Sequence, residues 1–411
     1  MLDVEIIRKE AEMVKQKLSL RGIPETLVDE FLAHDGAWRE AVKTRDEKKS
    51  SQKALGAENR EKAREIKEEI LGLEKTAQEE DKTRMEILEK LPNLPEDGAP
   101  VGKDERDNVV AREVGDKPEF DFEPKDHLEV GTALGIINME HAAAAAGARF
   151  GYLLGAAALM EFALVKMVME EARAVGFTPV VPPVMVKPEV MRKMGKGQFI
   201  KEEEAFYLPA DDLYLVGSAE HSLGPLQMNE ILPEGNLPKR YVGFSTAFRR
   251  EAGSYGKDTK GIIRVHQFDK VELFSFVNPE ASSEEHRTIL GLQEKIVKKL
   301  GLPYRVLDIC TGDMTWGDRR QFDIEVWMPS QNCYRETHSC SNTGDYQARG
   351  IKARFRNKEG EINYLHTLNG TGVAVGRTIA AIIENNQKED GSVIIPEVLR
   401  DYVGEDIIRR N

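Results

Sequence analysis

A chain of 411 residues is long enough for two or three domains with their own cores. Apolar residues make up 40% and charged residues 31%, and no run approaches the ~18 apolar residues of a membrane helix, so a membrane span is excluded. A net charge of −13 argues mildly against a nucleic-acid partner unless a basic patch is local.

The opening Met1-Leu-Asp-Val-Glu-Ile-Ile-Arg8 lacks the charged-then-apolar order of a signal peptide, so a cytoplasmic protein is expected. Residues 1–25 predict one short amphipathic helix, with Ile6, Ile7, Ala11, Val14 and Leu18 on one side, ending near Gly22 and Pro24. Glu25 to about Leu55 and Arg60 to Leu91 predict two long helices, with Gly56-Ala-Glu-Asn59 as the turn between them. In the second, Ile66, Ile70, Leu73, Ala77, Glu80, Arg84, Ile87 and Leu91 step by four and three, a seam of period 3.5 with two charged positions. Leu27, Phe31, Trp38 and Val42 give the first an apolar side. The pair predicts an antiparallel hairpin arm, about 45 Å long for ~30 residues per helix.

Between Lys43 and Lys67 the arm carries Lys43, Arg45, Lys48, Lys49, Lys53, Arg60, Lys62, Arg64 and Lys67 against Asp46, Glu47, Glu58, Glu61 and Glu65. A net-positive tip on an acidic protein suits a phosphate backbone contacted for its shape. Lys43, Lys48, Lys49, Lys53, Arg60 and Arg64 are the candidate contacts. An oligomerisation coiled coil and a solvated charged hairpin are the alternatives.

Pro92-Asn-Leu-Pro95 ends the arm, which sets an N-terminal domain at residues 1–100, a polar linker at 101–125 and a second domain at 126–411. In the second domain Tyr152–Val175 predicts a long helix with Phe162, Val165, Val168 and Met169 on its apolar side. Gly176 to Pro183 turns it into a short strand. Further strands are expected near Ala205–Leu208, Tyr214–Val216, Phe322–Met328 and Tyr334–Cys340, with a helix from about Ser218. Leu365–Leu368 leads into Asn369-Gly-Thr-Gly372, and Val373–Gln387 reads as an apolar helix. Helices and strands do not alternate regularly, and neither GxGxxG nor GxxxxGK[ST] follows a strand. The expected class is therefore α+β, built on an antiparallel sheet. Cys310, Cys333 and Cys340 are too few and wrongly spaced for zinc, and reduced thiols fit best.

Within that domain Ser245–Arg250 and Ile262–Phe276 read as two strands joined by the polar loop Glu251–Gly261. Such a pair brings Arg249, Glu251, Arg264, Phe268 and Glu272 to one patch. Guanidinium forks suit phosphate, a ring suits a base, and a carboxylate suits an ammonium. A charged hairpin with cross-strand ion pairs is the plainer alternative.

These residues resemble a class II aminoacyl-tRNA synthetase, specifically the seryl-tRNA synthetase family, over nearly the whole chain. Leu91-Pro-Asn-Leu-Pro95 looks like the exit of the family's tRNA-binding hairpin. Gly176–Pro183, Phe248-Arg-Arg-Glu251 through Arg264-Val-His-Gln-Phe268 to Glu272, and Gly372-Val-Ala-Val-Gly-Arg377 through Glu384-Asn-Asn-Gln387 look like the three class motifs, in order. Arg335-Glu-Thr-His-Ser-Cys-Ser341 is close to a seryl-family signature.

The resemblance implies an N-terminal antiparallel helical hairpin followed by a class II catalytic domain, and a serine–tRNA ligase activity using ATP and Mg²⁺. It places Arg249, Glu251 and Arg377 in the catalytic centre, with Arg249 and Glu251 at the α-phosphate and adenine edge. Arg250, Arg264, Val265, Thr337 and His338 go with the ATP site. Phe268 would stack on adenine, with Arg377 on the opposite face and near the γ-phosphate. Glu336 and Ser339 would hold the metal, only when ATP is bound. Ser218, Ala219, Glu220, Arg249, Glu272, Asn369 and Thr371 match the serine pocket. Implied partners are tRNA(Ser), L-serine, ATP and a second copy of the chain, docked near Glu161–Pro183, without membrane or DNA. Charging of tRNA(Sec) stays open.

Two departures stand out. The family usually has threonine at Ser218, and an aliphatic residue where His221 stands. That histidine is either a hydrogen-bond partner behind the pocket or a satisfied structural residue. The arm is compact, which bears on its reach. Rival readings are an enzyme loading a small amino acid onto a carrier protein, which would lack the arm, and a silent paralogue, which would have lost Arg249, Glu272, Glu336 or Arg377. A coiled-coil assembly protein is the third.

Overall fold

Asp3 opens the first helix, its Oδ1 accepting the Glu5 N–H at 2.9 Å. A computed structural model describes residues 1–55, 60–252 and 260–410. The chain forms two units, Met1–Pro95 and Glu96 onward. In the first unit the single helix expected over 1–25 is two, α1 (Val4–Lys9) and α2 (Ala11–Ser19). They part at Glu10, whose φ of −130° and ψ of 40° leave the helical region, and Ile7, Val14 and Leu18 are all buried.

Two long helices follow, α3 (Thr26–Lys53) and α4 (Arg60–Leu88). The turn expected at Gly56–Asn59 lies outside the described residues. Pairings Gln52 to Ala63, Lys48 to Glu69 and His34 to Glu80 run in opposite directions along the two helices, so the hairpin is antiparallel. Ile70, Ala77 and Ile87 of the period-3.5 seam are buried, as is Phe31 of α3. The two charged seam positions are matched from α3. Glu80 meets His34 Nδ1 at 2.6 Å, and the Arg84 guanidinium lies 3.9 Å from the Trp38 ring centroid. Beneath them Asp35 is completely buried. It accepts a bidentate pair from Arg8 at 2.8 and 2.7 Å, and Arg39 and Arg84 lie at 3.1 and 3.4 Å. Burial pushes its carboxyl up, but the Arg8 hydrogen bonds and three guanidinium charges hold it below its ordinary range.

The second unit is an eight-stranded sheet: β1 (Val109–Val114), β2 (Thr178–Val180), β3 (Lys239–Phe248), β4 (Gln267–Val277), β5 (Tyr304–Asp308), β6 (Arg320–Met328), β7 (Cys333–Gly344) and β8 (His366–Ala374). The order is β1-β5-β6-β7-β8-β4-β3-β2, antiparallel throughout except for the edge pair β2 and β3. This bears out the α+β class. The stretch 101–125, expected as a linker, contains β1, which pairs with β5. Five of its six residues are exposed, so no burial pattern marked it in the sequence.

One face of the sheet carries helices α5 (Ala156–Ala174), α6 (Ser282–Lys299) and α7 (Val375–Asn385). Leu164 and Val168 of α5, Ile289 and Ile296 of α6 and Ile379 and Ile383 of α7 share a buried cluster with Val271, Leu273, Ile324, Val326, Leu368 and Val373. Each such side chain contributes about 1.5–3 kcal/mol. Strand alternation then sends Lys270 and Glu272, and Asp323 and Glu325, to the opposite face. Two bulges adjust the aim. Thr337 is an extra residue opposite Ile324–Glu325, and Gly372 is extra opposite Val271–Glu272. A Cβ at Gly372 would come within 2.8 Å of Val168 Cγ1, so that bulge needs glycine. Phe162 of α5, expected on its core side, instead points outward and is 65% exposed. Among the described residues no helix is long and apolar enough to cross a membrane.

Candidate active site

The polar face of the sheet floors a cleft of about 1000 Å³. Its walls come from β4, β7 and β8, the start of α7, and the segments around 195–202, 217–221, 249–251 and 262–265.

At one end Arg249 is held on three sides. Its N–H donates to His266 O at 3.0 Å, its Nε donates to Gly217 O at 3.1 Å, and its guanidinium carbon lies 5.5 Å from the Phe268 ring centroid. Glu251 pairs with Arg264 at 3.1 Å. Glu251 has φ of +52°, and Glu204 accepts the N–H groups of Glu251 and Ala252 at 2.9 and 3.0 Å, fixing the start of the loop. Arg377, in the first turn of α7, donates to Ile263 O at 3.3 Å and from Nη1 to Glu336 O and Oε2 at 2.8 and 3.3 Å. Desolvation pushes Glu336 up, but the charges of Arg377, Arg249 and Lys270 keep it below its ordinary range. Asp323 moves the other way, held well above its ordinary range by desolvation and the Glu336 charge.

At the other end Ser218 Oγ donates to Glu272 Oε2 at 2.9 Å, and Lys270 Nζ meets the same oxygen at 2.6 Å. Thr371 Oγ1 accepts the Ser339 N–H at 3.4 Å and lies 3.3 Å from Ser339 Oγ. Asn369 Nδ2 donates to Glu220 Oε1 at 3.4 Å. The structure therefore gathers Ser218, Glu220, Arg249, Glu251, Arg264, Val265, Phe268, Glu272, Glu336, Thr337, Ser339, Asn369, Thr371 and Arg377 around one cleft.

Three expected residues do not line it. Ala219 is fully buried in an apolar cluster with Phe274 and Ala348. Arg250 turns away, donating to Ala205 O at 3.3 Å and lying 4.8 Å from the Phe206 ring centroid. His338 is buried at the strand bulge, its Nδ1 2.8 Å from Thr337 Oγ1, and burial lowers its pKa to about 4. His221 lines the cleft beside Glu220. It accepts the Gly217 N–H at 3.3 Å, and burial holds it neutral with a pKa of about 3.

Sequence reasoning missed Lys196, Glu204, Lys270 and Asp323. For Lys270 the signal was there, since a residue two before Glu272 on a strand shares its face. Glu336 and Ser339 offer oxygen donors to the cleft, which suits a hard divalent ion. Among the described residues no group of three or more His, Cys, Asp or Glu could hold a metal. On the arm, Lys48 and Lys49 face Glu69 and Glu74 at 2.7 Å, and Arg64 lies 3.7 Å from Glu68. Lys43, Lys53 and Arg60 are exposed.

Two family models match the chain: the seryl-tRNA synthetase N-terminal domain over residues 1–95, and the tRNA synthetase class II core domain (G, H, P, S and T) over residues 206–386. The chain is 45% identical to the serine–tRNA ligase of Acidothermus cellulolyticus, across 100% of this chain and 99% of that protein. The solved seryl-tRNA synthetase of Pyrococcus horikoshii, complexed with ATP, superposes with a TM-score of 0.94 at 38% identity, covering 100% of both chains. The cytoplasmic serine–tRNA ligase of Naegleria fowleri, in complex with AMP, gives 0.91 at 31% identity over 100% of this chain and 99% of that one.

Proposed function

The chain belongs to the seryl-tRNA synthetase family, and we propose that it works as a serine–tRNA ligase, activating L-serine with ATP and passing the seryl group to the 3′ end of tRNA(Ser). The observation that carries the site assignment is the single cleft. It sets Arg249, Arg264, Arg377 and Phe268 at one end and Ser218, Glu272, Asn369 and Thr371 at the other.

The serine carboxylate attacks the α-phosphorus in line, and pyrophosphate leaves. The terminal ribose hydroxyl of the tRNA then attacks the activated carbonyl, and AMP leaves. No protein nucleophile is required. The chain's part is positioning and charge neutralisation. Arg249 meets both the serine carboxylate and the α-phosphate. Phe268 stacks on adenine, Glu251 reads its edge, and Arg264 and Arg377 line the nucleotide. Glu272 receives the α-ammonium, displacing Lys270 as its partner. Asn369 and Thr371 bond the side-chain hydroxyl, which disfavours alanine because their polar groups would be left unpaired. Glu336 and Ser339 would hold Mg²⁺ together with ATP, where the ion supplies charge neutralisation on the phosphates.

The arm is the candidate tRNA contact, through Lys43, Lys53, Arg60 and the partly paired Lys48, Lys49 and Arg64. The chain is a cytoplasmic homodimer in this reading. Support comes from Phe162 and Val181, 65% and 85% exposed on α5 and just after β2, within the expected interface Glu161–Pro183. The test is charging of tRNA(Ser) with labelled serine by the full chain. Serine should enter tRNA(Ser) and not a tRNA for another amino acid. Absence of charging in the presence of serine-dependent adenylate formation would point to a carrier other than tRNA.

A further inference from the structure

The cleft residue least explained by the reading above is Lys196. It follows Gly195, which has φ of +74° and whose added Cβ would lie 2.7 Å from Tyr346 Cε1. Glycine is thus required there both by backbone and by space, and that tight passage delivers Lys196 into the cleft. The Lys196 ammonium reaches Glu220 Oε1 at 2.8 Å with only 16% of its side chain exposed. From the far side Gln347, on the short helix Tyr346–Ile351, donates to the same oxygen at 2.6 Å. Asn369 donates to it at 3.4 Å. Gln347 is anchored in turn, its Oε1 accepting the Thr367 hydroxyl at 3.0 Å.

We propose that Lys196 and Gln347 are positioning residues of the amino-acid pocket, which hold the Glu220 carboxylate in one orientation so that Asn369 and the substrate's side-chain hydroxyl meet a fixed acceptor. This rests on the assignment of the Ser218–Glu220–Asn369 end of the cleft to the amino acid. A carboxylate this deeply buried cannot stay charged without a partner. Burial pushes Glu220 up, and the Lys196 charge leads the groups that bring it down to about 2. The His221 charge adds to this only in acid, since burial lowers that ring's pKa to about 3; at neutral pH Gln347, Asn369 and His221 are all uncharged and Lys196 is the charged partner. Lysine here therefore fixes both the aim and the charge of Glu220. A neutral residue at 196 would let the carboxyl titrate upward and swing, turning an acceptor into a donor over part of the pH range.

The experiment is serine-dependent ATP–pyrophosphate exchange by the full chain and by Lys196→Met, Lys196→Arg and Gln347→Leu, from mildly acidic to mildly alkaline pH. Lys196→Met should raise KM for serine by roughly tenfold or more, leave kcat and the KM for ATP little changed, and make the serine KM depend on pH. Lys196→Arg should restore most of the affinity, and Gln347→Leu should shift KM the same way by less. If Lys196→Met fails to fold, Lys196→Gln takes its place with the same expectations. A wild-type serine KM in the neutral variant at every pH would overturn the inference, as would a loss confined to kcat or equal losses for serine and ATP. If the unaltered chain showed no exchange with serine, the assignment of the pocket itself would fall instead.

Discussion

Arg249 is held by His266, Gly217 and Phe268 before any substrate arrives. Such a preorganised donor is worth most at the moment charge rearranges on the α-phosphate. Arg249→Ala should therefore slow activation by at least ~3 kcal/mol, roughly a hundredfold or more. Pyrophosphate exchange at the native rate in that variant would remove Arg249 from the chemistry. The residues legible in the sequence were those whose neighbours in the chain also mark the site, such as Phe248-Arg-Arg-Glu251 and Arg335-Glu-Thr-His338. The same runs carried passengers. His338 points away because it pairs with Ile324 beyond the bulge at Thr337, and Arg250, past the end of β3, is drawn off by Ala205 O and the Phe206 ring. Gln347 gave no signal, since 127 positions separate it from Glu220 and only the fold joins them. Glu204, acting 47 positions away on Glu251, is the same case.

At the scale of elements, the base of the arm depends on Asp35. Replacing its carboxylate by an amide leaves Arg8, Arg39 and Arg84 without their shared anion, and breaking a buried pair costs about 3 kcal/mol or more. Asp35→Asn should lower the melting temperature of the chain at neutral pH. The pH dependence follows from the sign of the shift. The folded pKa lies below the ordinary 3.8, so the stabilisation is full above about that pH and fades as pH falls through the folded value. Melting curves of the two proteins should converge in acid. Curves that stay equally far apart at all pH would deny Asp35 this role. The arm itself was legible because period 3.5 needs no tertiary knowledge. Its charged seam positions were not, because their partners His34, Trp38 and Asp35 come from the other helix. Strand β1 escaped notice for a different reason: an exposed edge strand has no burial to print on its sequence.

At the scale of the molecule, the proposed homodimer would cover the exposed Phe162 of α5 and Val181 after β2. Phe162→Glu should shift the chain from dimer to monomer in sedimentation. An unaltered chain that sediments as a monomer at working concentration would contradict the homodimer. The hairpin tip carries less free positive charge than its composition suggests, since Lys48, Lys49 and Arg64 each face a glutamate. Composition could show the excess of lysine and arginine but not the Lys48 and Lys49 pairs across the arm; the Arg64–Glu68 pair runs along α4 itself. The prolines at 92 and 95 fall where the first unit ends, whereas residues 101–125, read as a linker before a domain starting at 126, belong to the second unit. In the proposed function one cleft activates serine without help from tRNA. The decisive measurement is ATP–pyrophosphate exchange in the absence of tRNA, with serine, threonine, alanine and glycine compared. Exchange should appear with serine, and little with the other three. No exchange with any of them, or exchange equally fast with alanine, would contradict it.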